Sequence, residues 1–195
     1  MKRSSRYFGC VQSSSLTQMF PKAHAVAYLI AAIRLMWFKV YHPAIFYAVY
    51  FTVRGADIDY EAAVGGVRVA KEHLRDNEKI PKDERTAKDD DALVSLQLVN
   101  EMLQRGCEFL PIELGKSLGS KYVVEDDKVR LPFSALKGLG GAAADALERV
   151  TIHGEEYISV EELQQASGVG SSILDRLRQV GALGDLPESS QVSFF

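Results

Sequence analysis

The 195-residue sequence predicts a mainly helical α+β chain, on three observations. Apolar residues with helical spacing fill most of its length. A short stretch around Asp126-Asp127 alternates instead and reads as a small β-hairpin. The last third is helical again, but Gly138-Leu139-Gly140 and Gly168-Val169-Gly170 interrupt it.

Residues 1–18 are Ser-rich, basic and without period, and read as a disordered start. A helix is expected from Pro21, because proline suits a first turn, and Pro43 stops it at or before His42. Residues 23–53 are unusually apolar, but Arg34, Lys39, His42 and Pro43 interrupt them. A span needs about 20 apolar residues, so the stretch reads as a buried helix, with a membrane segment as the alternative. A further helical turn or two follows at Ala44–Phe51. Residues 59–76 suggest an amphipathic helix weakened at Gly65-Gly66. Residues 76–91 are highly charged and read as a surface loop and a candidate boundary. Ala92–Arg105 forms a clean helix with Gly106 just past its end. Strands are expected at Phe109–Leu114, Tyr122–Val124 and Val129–Leu131. Helices follow at Ala143–Val150, after the Ser-x-x-Glu capping box Ser159–Glu162, and at Ser171–Val180, which Gly181 stops.

Composition narrows the class. At 47% hydrophobic and 25% charged residues the chain is too apolar to be disordered as a whole. Its net charge of −3 hides a split. Residues 1–56 hold Lys2, Arg3, Arg6, Lys22, Arg34, Lys39 and Arg54 and no acid, which points to an anionic partner at that end. Cys10 and Cys107 exclude a disulfide framework and a cysteine-built zinc site, and make a reducing, cytoplasmic compartment the default.

Three features carry chemistry. Glycines at 138 and 140 let a turn between two short helices approach a phosphate, and the N–H groups of the following helix favour an anion. With Leu136 before and alanines after, this is the pattern of a helix-hairpin-helix, which grips the DNA backbone without reading sequence. Lys137 adds a cation; an ordinary helix–helix turn would use the same glycines. Gly168-Val169-Gly170 repeats the pattern weakly and reads as a structural turn, with Arg176 and Arg178 a turn or two later. Lys22 and His24 near a helix start suit a phosphate or triphosphate, or else are a solvated lysine and a satisfied histidine. The ending Gln191-Val192-Ser193-Phe194-Phe195 fits a partner's groove or a disordered tail. Asp57-x-Asp59 superficially resembles a two-metal carboxylate pair, although aspartate at a helix start is expected for capping. No catalytic residue and no metal ligand set is predicted.

The stretches Met19–Tyr28, Ile33–Pro43 and Phe46–Arg54 resemble the fingers region of the bacterial replicative DNA polymerase III alpha subunit of the PolC type. Leu131-Pro132-Phe133, Leu136–Gly140, Glu161–Gln165 and Gly181-Ala182-Leu183 follow in that family's order. The resemblance covers about residues 19–195 and stops abruptly before Met19, as a frameshift, a truncated reading frame or a gene fragment would produce. It implies the C-terminal portion of a DNA-directed DNA polymerase, a nucleotidyltransferase. Residues 19–106 would be a helical fingers remnant, 107–187 a β-hairpin and helix-hairpin-helix duplex-binding domain, and 188–195 a flexible clamp-binding tail. The catalytic palm and its Mg2+ would lie upstream, leaving this chain inactive alone and without a cofactor of its own. By the same resemblance Lys22, His24 and Arg34 are nucleotide or template contacts. Lys137, Gly138 and Gly140 are DNA-backbone contacts, and Gln191, Val192, Ser193, Phe194 and Phe195 are the sliding-clamp peptide. The partners implied are duplex DNA, the sliding clamp and the remainder of the polymerase, with no membrane. The alternative is a free-standing helix-hairpin-helix DNA-binding module that is not an enzyme.

Overall fold

The computed structural model describes residues 22–55, 58–81, 83–152 and 157–189. The disordered start expected at 1–18 and the start at Pro21 lie outside these residues. The chain divides into two compact units, residues 1–36 and 37–195.

Of the first unit, the described part is residues 22–36 of helix α1 (Lys22–Tyr41). Its apolar residues lie on every side of the helix and are exposed. Leu29, Ile33 and Met36 each keep about three-fifths of their surface. The sequence suggested a buried helix; the structure corrects that, because within this unit no other described element covers it. The window His24–Tyr41 is long and apolar enough to cross a membrane by length and composition.

The second unit begins its core at α2 (Pro43–Arg54), which starts one residue before the expected Ala44 and runs longer than the sequence suggested. Ala44, Tyr47, Ala48 and Phe51 recur at helical spacing and are buried. The opposite face, Ile45, Val49 and Val53, is exposed. Lys39 ties this region down. Its ammonium pairs with Glu101 at 2.8 Å and lies 5.4 Å from the Phe46 ring centroid. Burial works to raise the Glu101 pKa, but the Lys39 hydrogen bond and charge, aided by Arg105, hold it below the usual carboxylate range.

The single helix expected over 59–76 is broken into α3 (Tyr60–Val64) and α4 (Gly66–Glu78). Gly66 adopts φ +78°, which interrupts the helical ladder where the sequence weakened it. Asp59 caps α3 by accepting from the Ala62 N–H at 3.0 Å. The charged loop is shorter than expected, because α4 continues to Glu78 and α5 (Ala87–Gln104) starts early. Thr86 and Asp89 form a reciprocal capping box that draws the Asp89–Asp91 run into the helix. Nor does the loop separate domains, since α4 packs along α5. Gly106 closes α5 at φ +82°, as expected. Its N–H bonds the Leu103 carbonyl, and the Cys107 N–H bonds that of Met102.

The core continues across position 106, where the sequence suggested a change of domain. Phe51 meets Phe109 and Tyr122, with ring centroids 5.6 and 5.7 Å apart. The hairpin forms as expected from β2 (Val123–Glu125) and β3 (Lys128–Arg130), antiparallel around Asp126 and Asp127, both at positive φ. The strand expected from Phe109 forms only as β1 (Phe109–Leu110), which pairs parallel to β3 and gives the order β1-β3-β2. It ends at Pro111, which cannot donate to a ladder, so the longer strand expected there is absent. The buried Arg130 side chain ties the sheet together through Glu125, Glu113 and the Pro111 carbonyl.

A 3-10 turn at Phe133–Ala135 leads to three helices, α6 (Gly141–Thr151), α7 (Val160–Ser167) and α8 (Ser171–Gln179). Leu147, Leu163 and Leu177 are fully buried among them. Ser159 caps α7 by accepting from the Glu162 N–H at 3.2 Å. Glu162 reaches past the capping residue to the Ile158 N–H at 3.0 Å, so the box is displaced by one residue. The segment after α8 returns to α7, whose Val160 and Glu161 N–H groups bond the Pro187 and Glu188 carbonyls. Glu188, expected to open a free tail, is therefore held, and it also pairs with Arg178.

Candidate nucleic-acid interface

The first glycine turn is built on two buried pins. Leu136 and Leu139 are each less than a tenth exposed, while Lys137 and Gly138 between them are exposed. The Leu139 N–H bonds the Leu136 carbonyl at 3.0 Å and closes the turn. Gly138 sits at φ +87°, a conformation that costs an L-residue about 1–2 kcal/mol. Gly140 then caps α6 with an extended backbone, and its carbonyl accepts from the Ala143 and Ala144 N–H groups, both at 3.0 Å. The N–H groups of Gly141 and Ala142 belong to the first turn and have no intrahelical acceptor. Both residues are exposed, and no atom lies within 4 Å of where a Cβ on Gly140 or Gly141 would stand. No acid occupies the first turn of α6. The result is an open backbone surface of positive potential, which suits a phosphate.

The second turn repeats this construction. Gly168 has φ +69°, Val169 is buried, and Gly170 caps α8 with an extended backbone. The Gly170 carbonyl accepts from the Ile173 and Leu174 N–H groups at 3.0 and 3.4 Å. The neighbours differ. Arg176 of α8, which follows the second turn in sequence, reaches the first one: its Nη1 donates to the Lys137 carbonyl. Sequence reasoning associated this arginine with the second turn. Its position on α8 carried no signal of a partner 39 residues away.

Other predicted contacts are dispersed. Lys22 opens α1, and His24 and Arg34 follow on the same helix, both exposed. The His24 ring meets Tyr28 edge-on with centroids 4.5 Å apart. At 1.5 Å per residue Arg34 lies about 18 Å along the axis from Lys22, so α1 does not gather the three at one point. The clamp peptide Gln191–Phe195 lies outside the described residues, as does Asp57.

Of the Asp57-x-Asp59 pair only Asp59 lies among the described residues, and it serves other partners. Both oxygens of Asp59 are engaged, one by the Ala62 N–H and the other by the His73 Nδ1 at 2.7 Å. Among the described residues no group of three or more His, Cys, Asp or Glu side chains is arranged to hold a metal ion. The Asp59 hydrogen bond and charge raise the His73 pKa against a smaller opposing effect of burial.

Two buried-pin glycine turns, each opening a helix, form the helix-hairpin-helix pattern. A family model described as a helix-hairpin-helix motif matches residues 106–192. The chain is also similar to proteins named as the PolC type of DNA polymerase III. It is 38% identical over 178 residues to the protein named "DNA polymerase III PolC-type" of Streptococcus thermophilus. Over the same length it is 37% identical to the protein of that name in Streptococcus agalactiae and 36% to that in Streptococcus pyogenes. Each match covers 91% of this chain and 12% of the relative, so the chain spans about an eighth of the length of these curated relatives.

Proposed function

We propose that this chain acts as the C-terminal portion of a PolC-type DNA-directed DNA polymerase and grips duplex DNA by its backbone. The single observation that carries the reading is the exposed Gly138–Gly140 turn, whose positive φ and open helix start leave unpaired N–H groups at the surface. The family match over residues 106–192 supports it. In this reading the N–H groups of the turn and Lys137 hold phosphates and carry no sequence information. Lys22, His24 and Arg34 on α1 contact the incoming nucleotide or the template strand. Residues 191–195 bind the sliding clamp. The catalytic carboxylates and their Mg2+ are supplied by other parts of the polymerase, so the isolated chain does not polymerise. The exposed apolar surface of α1 is covered by the remainder of that polymerase, which the much greater length of the relatives supports. Replication of the chromosome places the chain in the cytoplasm.

Titration of duplex binding against salt tests the reading. Affinity is expected to fall as salt rises, with a log–log slope of about −0.9 per phosphate neutralised and no dependence on sequence. Lys137→Ala is expected to reduce that slope by about 1. Binding that ignores salt, or one sequence strongly preferred, refutes the backbone grip. For the tail, Phe194→Ala/Phe195→Ala is expected to abolish binding to a purified bacterial sliding clamp; equal affinity for wild type and double variant removes that assignment.

A further inference from the structure

We propose that Arg176, on the helix of the second turn, is a positioning residue for the first: it locks the Lys137–Gly138 peptide in the orientation that presents the Gly138 N–H to a phosphate. The inference rests on the reading of Gly138–Gly140 as a DNA-backbone contact.

Peptide geometry supplies the mechanism. In a planar trans peptide the carbonyl and the following N–H point in opposite directions. Arg176 Nη1 donates to the Lys137 carbonyl. Holding that oxygen on the α8 side therefore aims the Gly138 N–H away from the guanidinium. Lys137 and Gly138 are both exposed, so without this bond their shared peptide plane would be held mainly by the Leu139–Leu136 hydrogen bond. A charged donor makes a stronger hydrogen bond than a neutral one, which suits a peptide that water also competes for.

Gly138 is shaped by the same contact. A Cβ built at this position would collide with Arg176 Nη1 and stand 3.1 Å from its Cζ. Glycine is required here by φ +87°, and a Cβ would in addition push the flexible Arg176 guanidinium aside. The second turn has no such neighbour, since no atom lies within 4 Å of the corresponding point at Gly168. The asymmetry assigns the arginine of one hairpin to the other hairpin's turn.

A thermodynamic cycle in the full 195-residue chain tests this, with a fluorescently labelled mixed-sequence DNA duplex as the probe. Arg176→Ala is expected to weaken binding about tenfold, the scale of one lost charged hydrogen bond, with the salt slope unchanged. On a Gly138→Ala background it is expected to add no further loss. Arg176→Gln, a neutral donor, is expected to recover part of the affinity. Without DNA, the Leu139 amide, which bonds the Leu136 carbonyl, is expected to exchange faster in Arg176→Ala than in wild type. Wild-type binding by Arg176→Ala overturns the proposal. So does a slope reduced by about one charge with the full loss repeated on Gly138→Ala, since the guanidinium would then touch a phosphate itself. Wild-type binding by Gly138→Ala has a wider consequence: the phosphate reading of the turn falls, and this proposal with it.

Discussion

The two glycine turns share a backbone and differ in their surroundings. Gly138 and Gly168 have φ of +87° and +69°, and Gly140 and Gly170 cap the next helix with nearly the same dihedrals. Leu139 and Val169 pin both turns into the core. Yet only the first has a lysine at its tip and a guanidinium packed against its glycine. Local geometry makes a helix start available to an anion; the neighbouring cations decide which of two equivalent starts is best fitted to hold one.

The largest test asks whether the hairpins can be separated at all. Leu147 in α6 and Leu177 in α8 are fully buried. Leu147→Ala and Leu177→Ala are each expected to cost about 2–5 kcal/mol, read from urea unfolding. Because α7 packs against both helices, each variant should lower a single transition for both hairpins. Two separable transitions would break the comparison at its base.

The turns themselves should diverge next. Gly138→Ala and Gly168→Ala each force an L-residue to positive φ, about 1–2 kcal/mol. Only the first also meets Arg176. Thermal melting should therefore rank Gly138→Ala as the more destabilising, and only that variant should lose duplex affinity. Equal losses of affinity would make the second turn an equal phosphate contact.

Capping comes below these. Ser159→Ala removes the side-chain acceptor of the Glu162 N–H and should cost about 1 kcal/mol, localised to the start of α7. Amide exchange across α7 would reveal it, while the Gly138 turn should stay protected. Spread of the loss to that turn would mean that α7 transmits strain between hairpins.

The smallest effect separates them by pH. A cleft of about 790 Å³ beside the first turn is lined by Asp59 and His73 as well as Lys137, Gly138 and Arg176. None of Gly168, Val169 or Gly170 lines it. The raised His73 pKa means that the protonated form is favoured in the folded chain. The stability it lends is fully present below the ordinary histidine value, about 6.5, and is lost as pH rises through the raised one. Asp59→Asn should lower the His73 pKa in an NMR titration and flatten this dependence. A His73 pKa unmoved by that change would show that Asp59 is not its partner in solution.

Punctuation was the most legible part of the sequence. Pro43 and Gly106 stopped or opened helices where their φ preferences say they should, and Asp126-Asp127 turned the hairpin. Thr86 with Asp89 was equally local but was hidden inside a run of charges that resembled a loop. The strand at Phe109 was legible, but its parallel pairing with β3 was not, because a strand's sequence does not name its neighbour. The glycine turn at 138 was visible as a candidate, and its lysine with it. Arg176 was visible as a residue but not as that turn's neighbour.

By itself the sequence determined the helix ends marked by Pro43 and Gly106, the buried face of α2, and that two glycine turns exist. These follow from backbone preferences and periodicities that act over a few residues. Only the tertiary structure decided that α1 stays exposed, that Asp59 pairs with His73, and that Arg176 serves the first turn. Those outcomes depend on which surfaces meet across tens of residues, and no local preference encodes the meeting.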